Sequence, residues 1–155
     1  MPKPVPPKQS ADPLALDSQF CFALYSASLA MTKVYKPFLE KLGLTYPQYL
    51  VMLVLWERDG LLVKEIGEKL FLDSGTLTPL LKRLEAAELI TRTRDEQDER
   101  QVRITLTGNG RSLKKQARDI PMQVVCASGQ SVETLVRLRT QLNAIRDELN
   151  DYSPD

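Results

Sequence analysis

A change of hydrophobic period near residue 89 constrains the fold of this chain more than any other feature. Before it, apolar residues recur at helical spacing, as in LLVKEIGEKLFL (61–72). LITRTRD (89–95) then alternates apolar with polar or charged residues, EQDERQ (96–101) is polar, and VRITLT (102–107) alternates again. Two alternating runs joined by a polar turn predict a β-hairpin. The chain should therefore be mainly helical, with one arginine-rich hairpin.

Two short helices are predicted immediately before the hairpin. LLVKEIGEKLFL is followed, after a break of two or three residues, by DSGTLTPLLKRLEAAEL (73–89), which opens with small hydroxyl residues. Two helices joined by so tight a turn are typical of a helix-turn-helix. A helix-turn-helix followed by a basic hairpin is a winged helix. The second helix is expected to bury four leucines: Leu77, Leu80, Leu81 and Leu84.

Further helices are predicted ahead of the winged helix. Asp17 is expected to cap a helix over residues 18–43, with Gly43 as its C-terminal stop and Pro37 as a kink. Thr45 should cap the next helix, TYPQYLVMLVLWERDG, whose apolar run suits a helix buried on most sides.

Two closing helices are predicted after the hairpin. Thr107 should cap one helix over residues 108–125, and the last helix spans residues 131–151. The last helix carries apolar residues at alternating spacings of three and four, namely Leu135, Leu138, Leu142, Ile145 and Leu149. Two heptads are too few for a free-standing coiled coil. The stripe predicts packing against another surface, and a partner subunit is one candidate.

Composition excludes several classes of function. The chain has no histidine, the commonest catalytic base and metal ligand, so Ser-His or Cys-His enzymes and typical zinc sites are not expected. No bound metal or cofactor is predicted. Two cysteines do not make a disulfide framework. No apolar run approaches the ~20 residues of a membrane helix, and the proline-rich residues 1–13 read as a flexible tail without secretory character. A cytoplasmic protein without membrane contact is expected.

The charge distribution is only a weak indication of nucleic-acid binding. Residues 62–118 carry 12 basic and 9 acidic side chains, whereas residues 119–155 carry 3 and 6. A strongly basic domain would be a clearer sign. Any DNA-binding surface must therefore come from local clustering of side chains.

The second helix of the helix-turn-helix has side chains suited to DNA. Ser74, Thr76 and Thr78 lie at or near its N-terminus, where hydroxyls and free backbone N–H groups can meet phosphates or base edges. Lys82 and Arg83 lie one to two turns later and can reach the DNA backbone. The alternative interpretation is helix capping together with a solvated charged face.

Sequence motifs resemble one family of regulators. DSGTLTPLLKRLE, the Asp98-x-Arg100 wing and LTGNGRSL are close to the pattern of the MarR family of dimeric winged-helix repressors. FCFALYSAS, VYKPFLEKLGLTYPQYLVMLVLWE and the cysteine pair resemble, more narrowly, the two-cysteine organic hydroperoxide sensors called OhrR. The resemblance covers roughly residues 14–150. It implies one MarR-like domain over residues 14–155, with dimerisation helices in 14–61 and 108–150 and a winged helix-turn-helix in 62–107.

The resemblance implies that a homodimer represses transcription by binding a pseudo-palindromic operator in double-stranded DNA. In the family the wing arginine enters the minor groove, where negative potential is concentrated, and an aspartate two residues earlier braces it. Those roles fall on Arg100 and Asp98. Three further hairpin arginines are candidates either for phosphate contacts or for structural ion pairs: Arg92, Arg94 and Arg103.

Cys21 is the predicted sensor of organic hydroperoxides. It lies about one turn inside a helix N-terminus, which favours the thiolate modestly, and its neighbours are apolar. The resemblance implies that Tyr35 and Tyr46 donate hydrogen bonds to this thiolate. Tyr35 follows Cys21 by 14 residues, about 21 Å along one helix, so it should reach only the partner's thiol. The alternative is that Cys21 is a small buried hydrophobe.

Cys126 is the predicted resolving cysteine, expected in the break between the last two helices. A peroxide oxidises a thiolate to sulfenic acid, which a second thiol captures as a disulfide. The sequence leaves open which chain supplies that thiol, and the resemblance implies the partner. The resulting movement would release the operator and derepress a peroxide-detoxifying gene.

Three other functions remain compatible with the sequence. One is a MarR-type repressor released by a small aromatic ligand, with the cysteines incidental. Another is a thiol peroxidase, for which the wing and the helix-turn-helix would have no use; no enzyme activity is therefore expected. The last is a winged helix used only for protein contacts.

Overall fold

The computed structural model describes residues 12–154 of the chain. Most of the predicted tail, residues 1–11, lies outside the described residues. The protein is mainly helical, with one small antiparallel sheet. Its elements are a 3-10 turn (Leu16–Ser18), α1 (Phe20–Glu40), α2 (Tyr46–Glu57), β1 (Leu61–Leu62), α3 (Val63–Leu70), α4 (Ser74–Ala86), β2 (Ile90–Arg94), β3 (Val102–Leu106), α5 (Gly108–Ala117), α6 (Ile120–Ser128) and α7 (Val132–Asp151).

The first long helix begins later than predicted. Asp17 does not cap it, because Asp17 lies in the 3-10 turn, and Gln19 in extended backbone is the residue that precedes α1. The Gln19 side chain donates backwards, to the carbonyl of Ala15 at 3.0 Å, so no side chain caps the helix. At its other end α1 ends at Glu40, three residues before the predicted stop at Gly43. Gly43 adopts φ +68°, the left-handed conformation that glycine favours after a helix.

Local capping explains why α2 begins at Tyr46. The Thr45 hydroxyl accepts from the backbone N–H of Gln48, and the Gln48 side chain accepts from the backbone N–H of Thr45, which is a capping box. The helix ends at Glu57, three residues before the predicted stop at Gly60. Its buried residues make it the central helix of the core.

The winged helix is present, with one strand more than predicted. The sheet order is β1-β3-β2, and all pairs are antiparallel. The hairpin of β2 and β3 was expected, whereas β1 was not, since a pair of adjacent leucines shows no alternation. Leu61 pairs with Ile104 and is buried, so β1 joins the edge of the hairpin sheet.

Helix α4 packs its apolar stripe into the core beneath the sheet. Leu77, Leu81 and Leu84 are buried there, as predicted. Leu80 is only partly buried and lies at the edge of the core, which corrects the prediction for that residue. The stripe fixes which face of α4 points outward.

The first closing helix is two helices rather than one. α5 ends at Ala117, and α6 begins at Ile120 with Pro121 in its first turn. Proline has no N–H to donate to the carbonyl four residues earlier, so a continuous helix is interrupted here. Cys126 is accordingly inside α6, near its end, and not in the break that follows. That break centres on Gly129, whose φ is +66°.

None of the helices within residues 12–154 is long and apolar enough to cross a membrane.

Candidate functional site

The N-terminus of α4 is held by its cap. The Asp73 carboxylate accepts from the backbone N–H of Thr76 at 2.7 Å, and hydrogen bonds from the Thr76 backbone and side chain lower the pKa of Asp73. The Thr78 hydroxyl donates to the carbonyl of Ser74 at 2.7 Å. Thr76 and Thr78 are therefore partly engaged in local bonds, as the capping interpretation anticipated. Ser74 remains exposed at the tip of the helix.

The cations further along α4 point to solvent. Lys82 and Arg83 are both exposed. Neither forms an ion pair with another residue of the range 12–154. Their charges are thus available to an anion outside the chain.

Arg100 is presented at the tip of the wing by Asp98. The Arg100 guanidinium donates to both carboxylate oxygens of Asp98, at 3.0 and 3.2 Å, and the Arg100 backbone N–H also donates to it. These bonds, with one from Gln101, lower the pKa of Asp98. The Arg100 side chain is 90% exposed, whereas that of Asp98 is 31% exposed. A carboxylate of the acidic turn therefore orients the arginine.

The other hairpin arginines have internal partners. Arg92 pairs with Glu85 at 3.2 Å, and Arg103 pairs with Asp95 at 2.7 Å. The Arg103 hydrogen bonds lower the pKa of Asp95, a buried carboxylate whose role the sequence did not indicate. For Arg92 and Arg103 the ion-pair interpretation holds.

Arg94 lies apart from Ser74, Thr78 and Arg100. It donates to the carbonyl of Glu99 at 3.1 Å and lines a separate cavity of about 510 Å³ on the hairpin. By contrast, Ser74, Thr78 and Arg100 line one open cavity of about 970 Å³ between α3, α4 and the wing. The fold thus brings the start of α4 and the wing tip to one concave face.

The two cysteines are free thiols on packed helices. Cys21 is the second residue of α1, Cys126 lies in α6, and both are exposed. Helices α1 and α6 pack against each other. Phe20 and Phe22, which flank Cys21, are also exposed, at 54% and 40%. Cys21 is therefore not a residue of the core of its own chain.

Three tyrosines form one cluster where the end of α1 meets the start of α2. The ring centroids of Tyr35 and Tyr46 are 4.9 Å apart, and Tyr49 lies 5.8 Å from Tyr35 and 6.3 Å from Tyr46. The sequence predicted roles for Tyr35 and Tyr46 but missed Tyr49, which is hidden in the apolar run of α2. We call Tyr35, Tyr46 and Tyr49 the tyrosine cluster.

Burial keeps the hydroxyls of the tyrosine cluster protonated. Burial, with the neighbouring Tyr46 and Tyr49 hydroxyls, raises the pKa of Tyr35 to about 12. Burial also raises the pKa of Tyr46 and of Tyr49. Within residues 12–154 none of the three hydroxyls has a hydrogen-bond partner. The cluster therefore offers neutral hydrogen-bond donors that are not in use.

Cys21 does not reach the tyrosine cluster within one chain. Cys21 and Tyr35 lie on the same uninterrupted helix, 14 residues apart. At 1.5 Å per residue they are about 21 Å apart along the axis. The cluster and the thiol can meet only if another chain supplies one of them.

Comparison with known proteins identifies relatives along most of the chain. A family of proteins described as "Transcriptional regulator SarA/Rot" matches residues 33–117. The chain is 52% identical to the organic hydroperoxide resistance transcriptional regulator of Bacillus subtilis, over 90% of this chain and 95% of that protein.

Solved structures of AbfR, a protein of Staphylococcus epidermidis, have the same fold. Reduced AbfR bound to DNA is 35% identical and superposes with a TM-score of 0.73, covering 88% of this chain and 96% of that one. Disulfide-formed AbfR is 36% identical with a TM-score of 0.57, covering 84% and 91%. These relatives are regulators that bind DNA, and none of them is named as an enzyme.

Proposed function

Because the chain belongs to the SarA/Rot family of MarR-like, winged-helix transcriptional regulators, we propose that it is a homodimeric repressor released from DNA by organic hydroperoxides. In this proposal Cys21 is the sensor and Cys126 resolves it. Residues 14–61 and 108–150 supply the dimerisation helices, and the winged helix-turn-helix lies between them.

The DNA-binding face is assigned to α4 and the wing. Ser74, Thr76 and Thr78 lie at or near the N-terminus of α4, where backbone N–H groups and hydroxyls can meet phosphates or base edges in the major groove. Arg100, braced by Asp98, reaches into the adjacent minor groove. The concave shape between these elements supports their acting on one duplex. Two more cations, Lys82 and Arg83, are assigned to the DNA backbone, whereas Arg94, which lies apart from this concave face, is left out of the assignment.

The sensing chemistry needs only the thiols and the peroxide. The Cys21 thiolate attacks the terminal oxygen of an organic hydroperoxide, the O–O bond breaks, and an alcohol leaves after protonation. The resulting sulfenic acid is attacked by the Cys126 thiol, which forms a disulfide and releases water. The partner subunit supplies that thiol in this proposal.

The tyrosine cluster is assigned to the thiolate of the partner's sensor cysteine. Neutral hydroxyls that donate to a thiolate favour its charged, reactive form. Tyr35 and Tyr46 are protonated donors without hydrogen-bond partners among residues 12–154, which supports this role. The proposed site is therefore shared between two chains.

The observation that carries the proposal is the placement of Cys21. A free thiol is exposed on the first turn of a helix, between exposed aromatic side chains, in a chain related to an organic hydroperoxide resistance regulator. An exposed apolar setting suits an alkyl hydroperoxide better than it suits a structural cysteine.

A gel shift on the DNA upstream of the chain's own gene tests the proposal. The reduced protein should retard this DNA, and cumene hydroperoxide should release it. A salicylate-like phenol serves as the comparison. Release by the phenol and not by the peroxide would replace the proposal with the aromatic-ligand alternative.

A further inference from the structure

Tyr49 is the most buried member of the tyrosine cluster. Its side chain is only 2% exposed, whereas Tyr35 and Tyr46 are each partly exposed. It lies one turn after Tyr46 on α2 and contacts both other rings at tilts of 45°. The partly exposed rings of Tyr35 and Tyr46 therefore pack against the buried ring of Tyr49.

Tyr49 also contacts Trp56, the only tryptophan in the sequence. The rings of Tyr49 and Trp56 are 6.4 Å apart in an edge-on arrangement. The Trp56 indole N–H donates to the carbonyl of Gly110 at 2.8 Å, which fixes Trp56 to the start of α5. Tyr49 is therefore backed by rigid packing between α2 and α5.

We propose that Tyr49 is a positioning residue of the thiolate site: its ring sets the orientation of the Tyr35 and Tyr46 rings, and so directs their hydroxyls to the partner's sensor thiolate. This inference rests on the proposed function and adds a residue to that site. It assigns the role to the ring of Tyr49 rather than to its hydroxyl.

The geometry explains why a ring is needed at this position. Aromatic side chains prefer tilted and edge-on contacts to face-to-face stacking, and both contacts of Tyr49 within the cluster are tilted. A tyrosine hydroxyl lies on the rotation axis of its own ring, so only a shift of the whole side chain or a change of its χ1 rotamer moves the hydroxyl. An aliphatic side chain in place of Tyr49 would leave space beside both rings, so the side chains of Tyr35 and Tyr46 would shift and carry their hydroxyls with them.

Two substitutions separate the ring from the hydroxyl. Tyr49→Phe keeps the ring, and Tyr49→Leu removes it. The measurement is the rate at which Cys21 is oxidised by cumene hydroperoxide in the intact dimer, as a function of pH. Because burial raises the pKa of Tyr35 to about 12, the profile at neutral and mildly alkaline pH reports on the thiol and not on the tyrosine.

We expect Tyr49→Phe to match the wild type. Tyr49→Leu should slow oxidation at neutral pH by about tenfold, the size expected when a hydrogen bond to a charged group is weakened, and should move the profile to higher pH. Affinity of the reduced protein for DNA should be unchanged in both variants. Wild-type rates for Tyr49→Leu, or equal slowing in the two variants, would overturn the inference.

A second variant covers the case in which Tyr49→Leu does not fold. Trp56→Phe removes the hydrogen bond to Gly110 and loosens Tyr49 from behind, so it should move the profile in the same direction by less. An unmoved profile in that variant would also count against the inference.

The double variant Tyr35→Phe, Tyr46→Phe distinguishes failure of the inference from failure of the proposed function. If it oxidises at the wild-type rate, the thiolate role of the tyrosines is wrong. If it is slow, adding Tyr49→Leu should slow oxidation no further, because Tyr49 acts through the two hydroxyls. Additive slowing would mean that Tyr49 acts on Cys21 by another route.

Discussion

At the scale of single residues, Arg100 combines exposure with a fixed orientation. Most exposed arginines gain little from a surface ion pair, which solvent screens. Here the guanidinium is bound through two nitrogens to a carboxylate that also bonds the Arg100 backbone. Because its orientation is already fixed, the Arg100 side chain loses less conformational entropy on binding DNA than an unpaired arginine would.

Replacing Arg100 by Ala should weaken DNA binding without changing the fold. We expect the logarithm of the binding constant to depend less steeply on the logarithm of the salt concentration, by about one counterion. Fluorescence anisotropy at several salt concentrations measures both quantities. Lys36→Ala is the control, since Lys36 is an exposed cation in an ion pair with Glu40, outside the winged helix. Equal slopes for Arg100→Ala and the wild type would remove the wing arginine from the interface.

The sequence predicted side-chain interactions between residues that are close together along the chain. The Asp98 and Arg100 pair spans two positions and was expected from its motif. The roles of Arg92 and Arg103 stayed open, because their partners Glu85 and Asp95 come close only in the folded lobe. The contacts of Tyr49 were missed because an aromatic residue in an apolar helix is read as core, and Tyr49 is both a core residue and a neighbour of Tyr35 and Tyr46.

At the scale of elements, the start of α5 is a closely packed junction between the winged helix and α2. Thr107 caps the helix, and its hydroxyl also donates to the carbonyl of Glu88 at 2.6 Å. Gly110 lies against the backbone carbonyl of Leu89, and its own carbonyl accepts from Trp56. The end of the winged helix is thereby joined to α2 and to the tyrosine cluster.

Two glycines in the first turn of α5 should respond differently to alanine. A methyl group at Gly110 would overlap the carbonyl of Leu89, so Gly110→Ala should lower the free energy of unfolding by about 1–3 kcal/mol. Gly108 has nothing within 4 Å of the added atom, so Gly108→Ala should be neutral or stabilising by less than about 1 kcal/mol. Urea unfolding measures both. Equal changes in the free energy of unfolding for the two variants would mean that the backbone around Leu89 moves to accommodate the added methyl group without loss of stability.

The elements that escaped prediction were those determined by a single residue or a very short segment. Periodicity located every long helix and both hairpin strands. It could not detect β1, which has two residues, and it carried one helix through Pro121, where the missing N–H breaks it. Asp17 was predicted to be a helix cap, but it lies inside a 3-10 turn.

At the scale of the whole molecule, the first and last long helices, α1 and α7, bury little within their own chain. No residue of α7 is buried, and Leu138 and Leu142 of its stripe remain exposed. One contact with the DNA-binding lobe is the guanidinium of Arg146, 4.2 Å from the ring of Phe71 in the helix-turn-helix. Helix α1 also exposes apolar side chains, including Phe20 and Phe22. The apolar faces of α1 and α7 are the surfaces that a second copy of the chain would cover. A dimer built this way should bind half-sites about 10 bp apart or a small multiple of that.

Mixed dimers test whether the thiol site is shared. One chain carries Cys21→Ser, and the other carries Tyr35→Phe with Tyr46→Phe. The remaining reactive Cys21 then faces intact tyrosines of its partner, because the axial distance of about 21 Å rules out those of its own chain. Its oxidation by peroxide, followed by mass spectrometry, should be as fast as in the wild type. A rate as slow as in the double-Phe homodimer would place the tyrosines and the thiol in one chain.

The most direct test of peroxide sensing follows DNA release and thiol chemistry in the same sample. One equivalent of cumene hydroperoxide per chain is added to the operator complex, and anisotropy and mass spectrometry are recorded together. The wild type should release DNA as Cys21 forms a disulfide with Cys126. Cys21→Ser should stay bound, and Cys126→Ser should react at Cys21 to give a sulfenic acid, which a second equivalent of peroxide then over-oxidises. Release of DNA by the Cys21→Ser protein, or modification of Cys126 before Cys21, would contradict the assignment of Cys21 as the sensor.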